Sequence, residues 1–161
     1  MPKQLPILTN PNPILRKISD KVNPEEISRP NFQELLADIR ETMIKKDGAG
    51  LAAPQIGQNI RLIAIHHNNK IYFLINPKIT KRSWAREIEE EGCLSVLDKK
   101  GEIIYGRVER HKKVNCAYLD EKGRTKKISA DKIMSRIIQH ELDHLDGILF
   151  IDKLVKDKSV K

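Results

Sequence analysis

Aromatic residues make up only 4% of this 161-residue chain, with a single tryptophan, and cysteine is scarcer still at two residues. Cys93 and Cys116 stand 23 residues apart in a lysine-rich chain, which argues against the disulfide framework of a small secreted scaffold. No apolar run approaches the roughly 18 residues that a membrane-spanning helix needs. The opening MPKQLPILTNPNP has neither the apolar centre of a signal peptide nor the Arg/Ser-rich amphipathic character of a transit peptide. A reducing cytoplasm is therefore expected. Internal repeats and low-complexity segments are absent as well.

What is present reads as one globular domain over residues 1–161, with a short basic tail at about 151–161. The formal net charge of +8 permits attraction to polyanions. The basic residues are scattered and aromatics few, so the expectation is a lysine-rich solvated surface, with the tail KLVKDKSVK as the part best suited to an anionic partner.

Prolines at 2, 6, 11, 13, 24 and 30 restrict the first 30 residues to turns and short extended pieces, with one helical turn at NPEEI. Phe32, Leu35, Leu36, Ile39 and Met43 then recur at helical spacing, predicting a helix from Asn31 that ends before Gly48. Strands are expected at 61–66 and 71–75, joined by an HNNK turn, and in the first Leu62 and Ala64 alternate against Ile63 and Ile65. Further strands are expected at 86–90 and, as one long element, at 105–120 before a turn at EKG. With the strands first and a helix last, the fold class is α+β: a single compact domain with curved antiparallel sheets around a central C-terminal helix.

That last helix, SRIIQHELDHLDG, carries the densest chemistry. At about 100° per residue, Ile133, Ile137, His140 and His144 fall on one face. Met134, Ile138, Glu141 and Leu145 form an adjoining stripe, and Lys132, Ser135, Arg136, Gln139, Asp143 and Asp146 fill the opposite side. HExxH on a helix is the arrangement in which two histidines hold a metal and the glutamate between them acts on a water that the metal makes acidic. Gly147 suits a left-handed helix end.

The third ligand decides the type of site. HELDHLDGILF copies the metzincin spacing as far as Gly147, but the last position is Phe150, and beyond His144 there is no His, Glu or Cys. A zincin-like metallopeptidase with a downstream ligand thus fits poorly, and the search turns upstream. Cys116 alternates in phase with Val114 and Tyr118, as a buried strand residue does. Cys93 follows a glycine in EEEGCLSV, where regular pairing lapses and a thiol can turn toward another element. It is the better third ligand. His66, His67 and His111 adjoin turns or charges and read as solvated. A Cys/His/His set leaves a position open, as catalytic sites do, and it suits Fe(II), Zn(II), Co(II) or Ni(II).

GAGLAAPQIG satisfies the dinucleotide pattern in letters only, since a helix precedes it and Pro54 with Gly57 prevents a long helix after it; no nucleotide cofactor is expected. Gly48 and Gly50 instead let backbone approach a ligand, whose extended chain could pair with the loop, and Gln55 supplies an amide beside it.

GAGLAAPQ at 48–55, EGCLS at 91–95 and HELDH at 140–144, in this order, closely resemble the peptide deformylase family, over about 8–150 and including the opening ILTNPNPILRKIS. The resemblance implies removal of the formyl group from N-formylmethionine on newly made polypeptides. It implies Cys93, His140 and His144 as metal ligands, ferrous iron as the physiological ion with zinc, nickel or cobalt as substitutes, and Glu141 as general base and acid. It further implies that Gln55 and the Leu94 backbone N–H stabilise the oxyanion. Ala49, Gly50 and Leu51 would receive the substrate backbone, and Ile133 and Ile137 the methionine side chain. The partners implied are the N-formylmethionyl nascent peptide and, through the basic surface, the ribosome; a non-catalytic ribosome- or RNA-binding domain is the alternative from another class. Ala49 stands where the family has a larger aliphatic residue, Leu97 replaces an expected proline, and DKKGEIIYG lengthens the path to RVER.

Overall fold

Strand β2 (Leu62–His67) organises both halves of the core, because successive side chains of a strand point to opposite faces. In the computed structural model, which describes residues 1–156, Leu62 and Ala64 face helix α1 (Pro30–Lys45), where Phe32, Leu36, Ile39 and Met43 are buried. Ile63 and Ile65 face the opposite way, onto helix α2 (Lys132–Leu145) through Met134, Ile138, Leu142 and Leu145. Both faces of one sheet are thus covered, which makes the chain an α+β domain with a C-terminal helix.

That sheet is antiparallel, in the order β1 (Gly50–Ala52), β2, β3 (Lys70–Arg82), β6 (Lys113–Leu119), β7 (Thr125–Asp131). A separate two-stranded ladder joins β4 (Arg86–Leu97) to β5 (Ile103–His111), and α2 lies against strands of both sheets. A third apolar cluster of Leu15, Cys93, Val96, Val108, Leu149 and Phe150 packs the ladder onto both ends of the chain.

The structure differs from the sequence pattern in instructive places. The strand expected over 105–120 is two strands in two sheets. At the break, the His111 backbone N–H donates to Gln139 Oε1 at 3.1 Å and its carbonyl accepts from Gln139 Nε2 at 2.9 Å and Ser135 Oγ at 3.0 Å. Side chains of α2 thereby replace ladder partners and let the chain change sheets. Conversely, the strand expected at 71–75 continues through Asn76 and Pro77. Asn76 takes a left-handed φ of 51°, its side chain bonds the Val22 backbone N–H and carbonyl at 2.9 and 2.8 Å, and the register shifts there, so the proline interrupts no ladder bond. β4 likewise runs on from 86–90 through the Cys93 segment, with its register broken after Gly92.

Helix α2 is enclosed on nearly every side. Ser135, Arg136 and Gln139, on the polar side of the wheel, are buried and hydrogen-bonded, whereas Ile133 is half-exposed. The helix ends in a Schellman turn: Gly147 has φ 73°, with Ile148 N–H to Asp143 O at 2.9 Å and Gly147 N–H to His144 O at 3.2 Å. A Cβ on Gly147 would meet Arg16 O at 2.5 Å, so the N-terminal segment packs on this turn. Of the expected basic tail, Phe150–Lys153 forms a 3-10 turn and Leu154 bridges Val108, while 157–161 lie outside the described residues. No helix among the described residues is long and apolar enough to cross a membrane.

Candidate active site

Helix α2 presents His140 and His144 one turn apart, and β4, losing its register after Gly92, turns Cys93 toward them. The three ligand atoms lie within 4.8 Å of one another, and Cys93 Sγ is 3.3 Å from His144 Nε2. The imidazoles are edge-on, with centroids 5.1 Å apart and planes at 73°. Cys116 takes no part; it is buried against α2, and burial pushes its thiol up to about 11.

A charged network behind the histidines, which sequence reasoning missed, fixes their geometry. Glu91 receives Arg110 Nε and Nη2 as a fork, both at 2.9 Å, and Arg136 Nη1 at 2.7 Å; its other face meets His140 Nδ1 at 2.7 Å. Arg110 continues to Asp143, which Lys153 reaches at 2.9 Å. Burial alone would raise the Glu91 carboxyl, but Arg110 and His140 outweigh it and hold the group well below the usual carboxylate range. The hydrogen bond at Nδ1 sets the His140 tautomer and leaves Nε2 free for a metal.

Burial pushes His140 down, yet Cys93 and Glu91 overcome it and pull the ring up to about 10. Burial holds His144 well below its ordinary value, and its Nδ1 has no partner among the described residues. One thiol with two imidazoles, their ligand atoms converging on one point, is a donor set that takes a divalent transition metal. The residues fit the ion the chemistry implies.

Glu141 is buried beside this point, and its Oε2 lacks a hydrogen-bond partner among the described residues. Desolvation pushes its carboxyl up to about 7. Gln55 is oriented from both ends: Oε1 accepts the Ala52 N–H at 2.9 Å, so Nε2 is turned to Ser95 Oγ at 3.0 Å and toward Cys93 Sγ at 3.5 Å. Ser95 is a second residue the sequence reading passed over.

A cavity of about 250 Å³ opens from this centre. Ala49, Gly50, Gln55, Leu94, Ile133, Ile137, His140 and Glu141 line it, and so do Ile103, Tyr105 and Arg136, which no local sequence pattern singles out. Leu51 does not line it, since its side chain is fully buried in the core against α1. His111 is not solvated: it is half-buried, with Nδ1 2.7 Å from Ser83 O. Phe150, at the position where a metzincin carries its third histidine, stacks near His140 with centroids 6.1 Å apart.

Comparison with known proteins follows the same outline. The family model described as polypeptide deformylase matches residues 4–160. The peptide deformylase of Syntrophomonas wolfei is 40% identical over 96% of each chain, and that of Mesorhizobium japonicum is 39% identical over 97% of this chain and 89% of its own. The crystal structure of a class I type b peptide deformylase from Acinetobacter baumannii with Met-Ala-Ser bound superposes with a TM-score of 0.88 at 31% identity, covering 96% of this chain and all of that one.

Proposed function

Because the chain belongs to the peptide deformylase family, metal-dependent hydrolases that take the formyl group off new polypeptides, we propose a role for each residue of the site. Cys93, His140 and His144 hold the metal. When bound, a divalent ion supplies Lewis acidity, which polarises a carbonyl oxygen and makes water acidic near neutral pH. The ion proposed is ferrous iron, with zinc, nickel or cobalt accepted by the same donors.

Glu141 moves the proton. With its carboxyl near 7 it can accept a proton from the attacking water and return it to the leaving amine, so that formate and a free N-terminus separate. As water adds to the formyl carbon, negative charge builds on the oxygen; Gln55 Nε2, already oriented, and the Leu94 backbone N–H donate to it.

The substrate is an extended peptide laid between two strand edges. β1 is an edge of the five-stranded sheet and β4 pairs only with β5 among the described strands, so each offers free backbone groups along the cavity. Ala49, Gly50 and Leu51 contribute main chain there, Leu51 by main chain alone. Ile133 and Ile137 form the apolar wall for the methionine side chain. The Met-Ala-Ser bound to the A. baumannii enzyme supports a methionyl peptide in this position. The nascent chain places this work in the cytoplasm, with the ribosome as a contact for the basic surface.

The observation that carries this assignment is the convergence of the Cys93, His140 and His144 donor atoms within 4.8 Å, beside the Glu141 carboxylate, whose Oε2 has no partner among the described residues. Formate release from formyl-Met-Ala-Ser tests it. Glu141→Ala should keep the metal and lose turnover by at least about a hundredfold, and Cys93→Ala should lose the metal. Full turnover in metal-loaded Glu141→Ala would defeat the assignment.

A further inference from the structure

Trp84, the chain's only tryptophan, is 98% exposed in the turn between β3 and β4. The turn beneath it is rigid. Ser83 N–H donates to Lys113 O at 2.9 Å, and Ser83 Oγ accepts from Lys113 N–H at 3.0 Å and donates to Ala85 O at 2.8 Å. Lys112 N–H donates to Ala85 O at 3.0 Å, and His111 Nδ1 lies 2.7 Å from Ser83 O. The backbone is pinned while the indole is left in water. A large aromatic held ready at little conformational cost is the usual form of a binding anchor.

The strand ladder gathers charge beside it. Cross-strand partners share a face, so Lys78, Ala117 and Lys127 form one row and Lys81, Asn115 and Ser129 the next, with Lys113 opposite Asp131 beyond them. This is the outer face, since the alternate residues Val114, Cys116 and Ile128 pack toward α2. Lys112 is exposed beside Trp84, whereas Arg82, opposite Val114, belongs to the other face. Arg86 is paired with Glu109, but among the described residues Lys78, Lys81, Lys112, Lys113 and Lys127 have no carboxylate within ion-pair distance. Cations that are scattered in the sequence thus share one surface that ends at an aromatic ring.

We propose that this outer sheet face, ending at Trp84, binds single-stranded RNA, with a base stacked on the indole and the lysines following the phosphates. Asn115, Ala117 and Ser129 are small and leave room between the cations, which suits planar bases and a regularly charged backbone. A bilayer would require contiguous apolar side chains, and between these lysines there is only Ala117. The binding surface stands apart from deformylation: Cys93 follows Trp84 by nine residues along β4, roughly 30 Å of extended strand.

The test uses the metal-loaded enzyme and a labelled single-stranded oligouridine, read by anisotropy and by the emission of Trp84. Oligouridine should quench that emission. If about four phosphates are neutralised, affinity should fall roughly 50-fold between about 50 and 200 mM salt. Trp84→Ala should weaken binding on the order of tenfold, and Lys81→Glu combined with Lys127→Glu at least as much, while formate release from formyl-Met-Ala-Ser is unchanged in both. The proposal is overturned if Trp84→Ala binds oligouridine as well as the parent does, or if binding is insensitive to salt. It is also overturned if anionic phospholipid vesicles shift the Trp84 emission and oligouridine does not.

Discussion

Gly50 and Glu141 meet with no room for a methyl group between them: a Cβ at position 50 would lie 2.5 Å from Glu141 Oε1 and 2.9 Å from its Cδ. The glycine is required by a neighbour's carboxylate, since Gly50 itself has an ordinary negative φ and sits in β1. Gly50→Ala should therefore act on the proton carrier. Overpacking costs about 1–3 kcal/mol, and the carboxylate can relieve it only by leaving its position. The expected result is a folded, metal-binding protein whose kcat in formate release drops at least about tenfold, since a misplacement near 1 Å costs up to about a hundredfold. Unchanged kcat would mean that Glu141 has slack the geometry does not suggest.

Glu91 touches His140 from behind and is held by two arginines. Glu91→Gln would leave Arg136 without its buried counter-charge and Arg110 with Asp143 alone, a loss on the order of 3–5 kcal/mol. The His140 ring would also lose its orientation, and loss of such outer partners typically weakens metal binding about 10- to 100-fold. Competition with a chromogenic chelator should register the weaker binding and a thermal melt the lower stability. Parent-like metal affinity would leave the network a purely structural role.

Asp120 gives an acid-sensitive term far from the metal. Its Oδ1 accepts the Lys122 and Arg124 N–H groups, both at 2.9 Å, and its Oδ2 the Arg124 Nε at 2.8 Å. Burial opposes ionisation, but these donors outweigh it and lower the pKa. A carboxylate depressed in the folded state stabilises the fold above its unfolded pKa, near 3.9, and that stabilisation is lost as pH falls through the folded value. Asp120→Asn should melt below the parent at pH 7, and the gap should narrow as pH falls below about 4. A gap of constant size would show that Asp120 stabilises the turn without its charge.

What could be read from the chain was local. His140, His144 and Glu141 are set by helical spacing, and the core sides of β2 by alternation. The Glu91 network joins residues 19, 45 and 49 positions apart, and no short pattern carries such pairings. The division of the 105–120 stretch was hidden for the same reason, because Ser135 and Gln139 satisfy the His111 backbone from 24 and 28 residues away. β1 has three residues, too few for alternation to register. Burial of Arg136 and Gln139 overrode the polar side of the helical wheel, since a helix enclosed by two sheets needs partners for its polar face where solvent would otherwise serve.

The proline-punctuated opening of the chain has a mechanical role. Leu8 N–H donates to Gln55 O at 2.7 Å and Asn10 N–H to Ser95 O at 2.8 Å, so one short segment is stitched to both banks of the cleft. Those residues contribute nothing to its lining, yet they set how far apart the banks stand. Trimming that end past Asn10 would remove both stitches and free the Gln55 bank from the Ser95 bank.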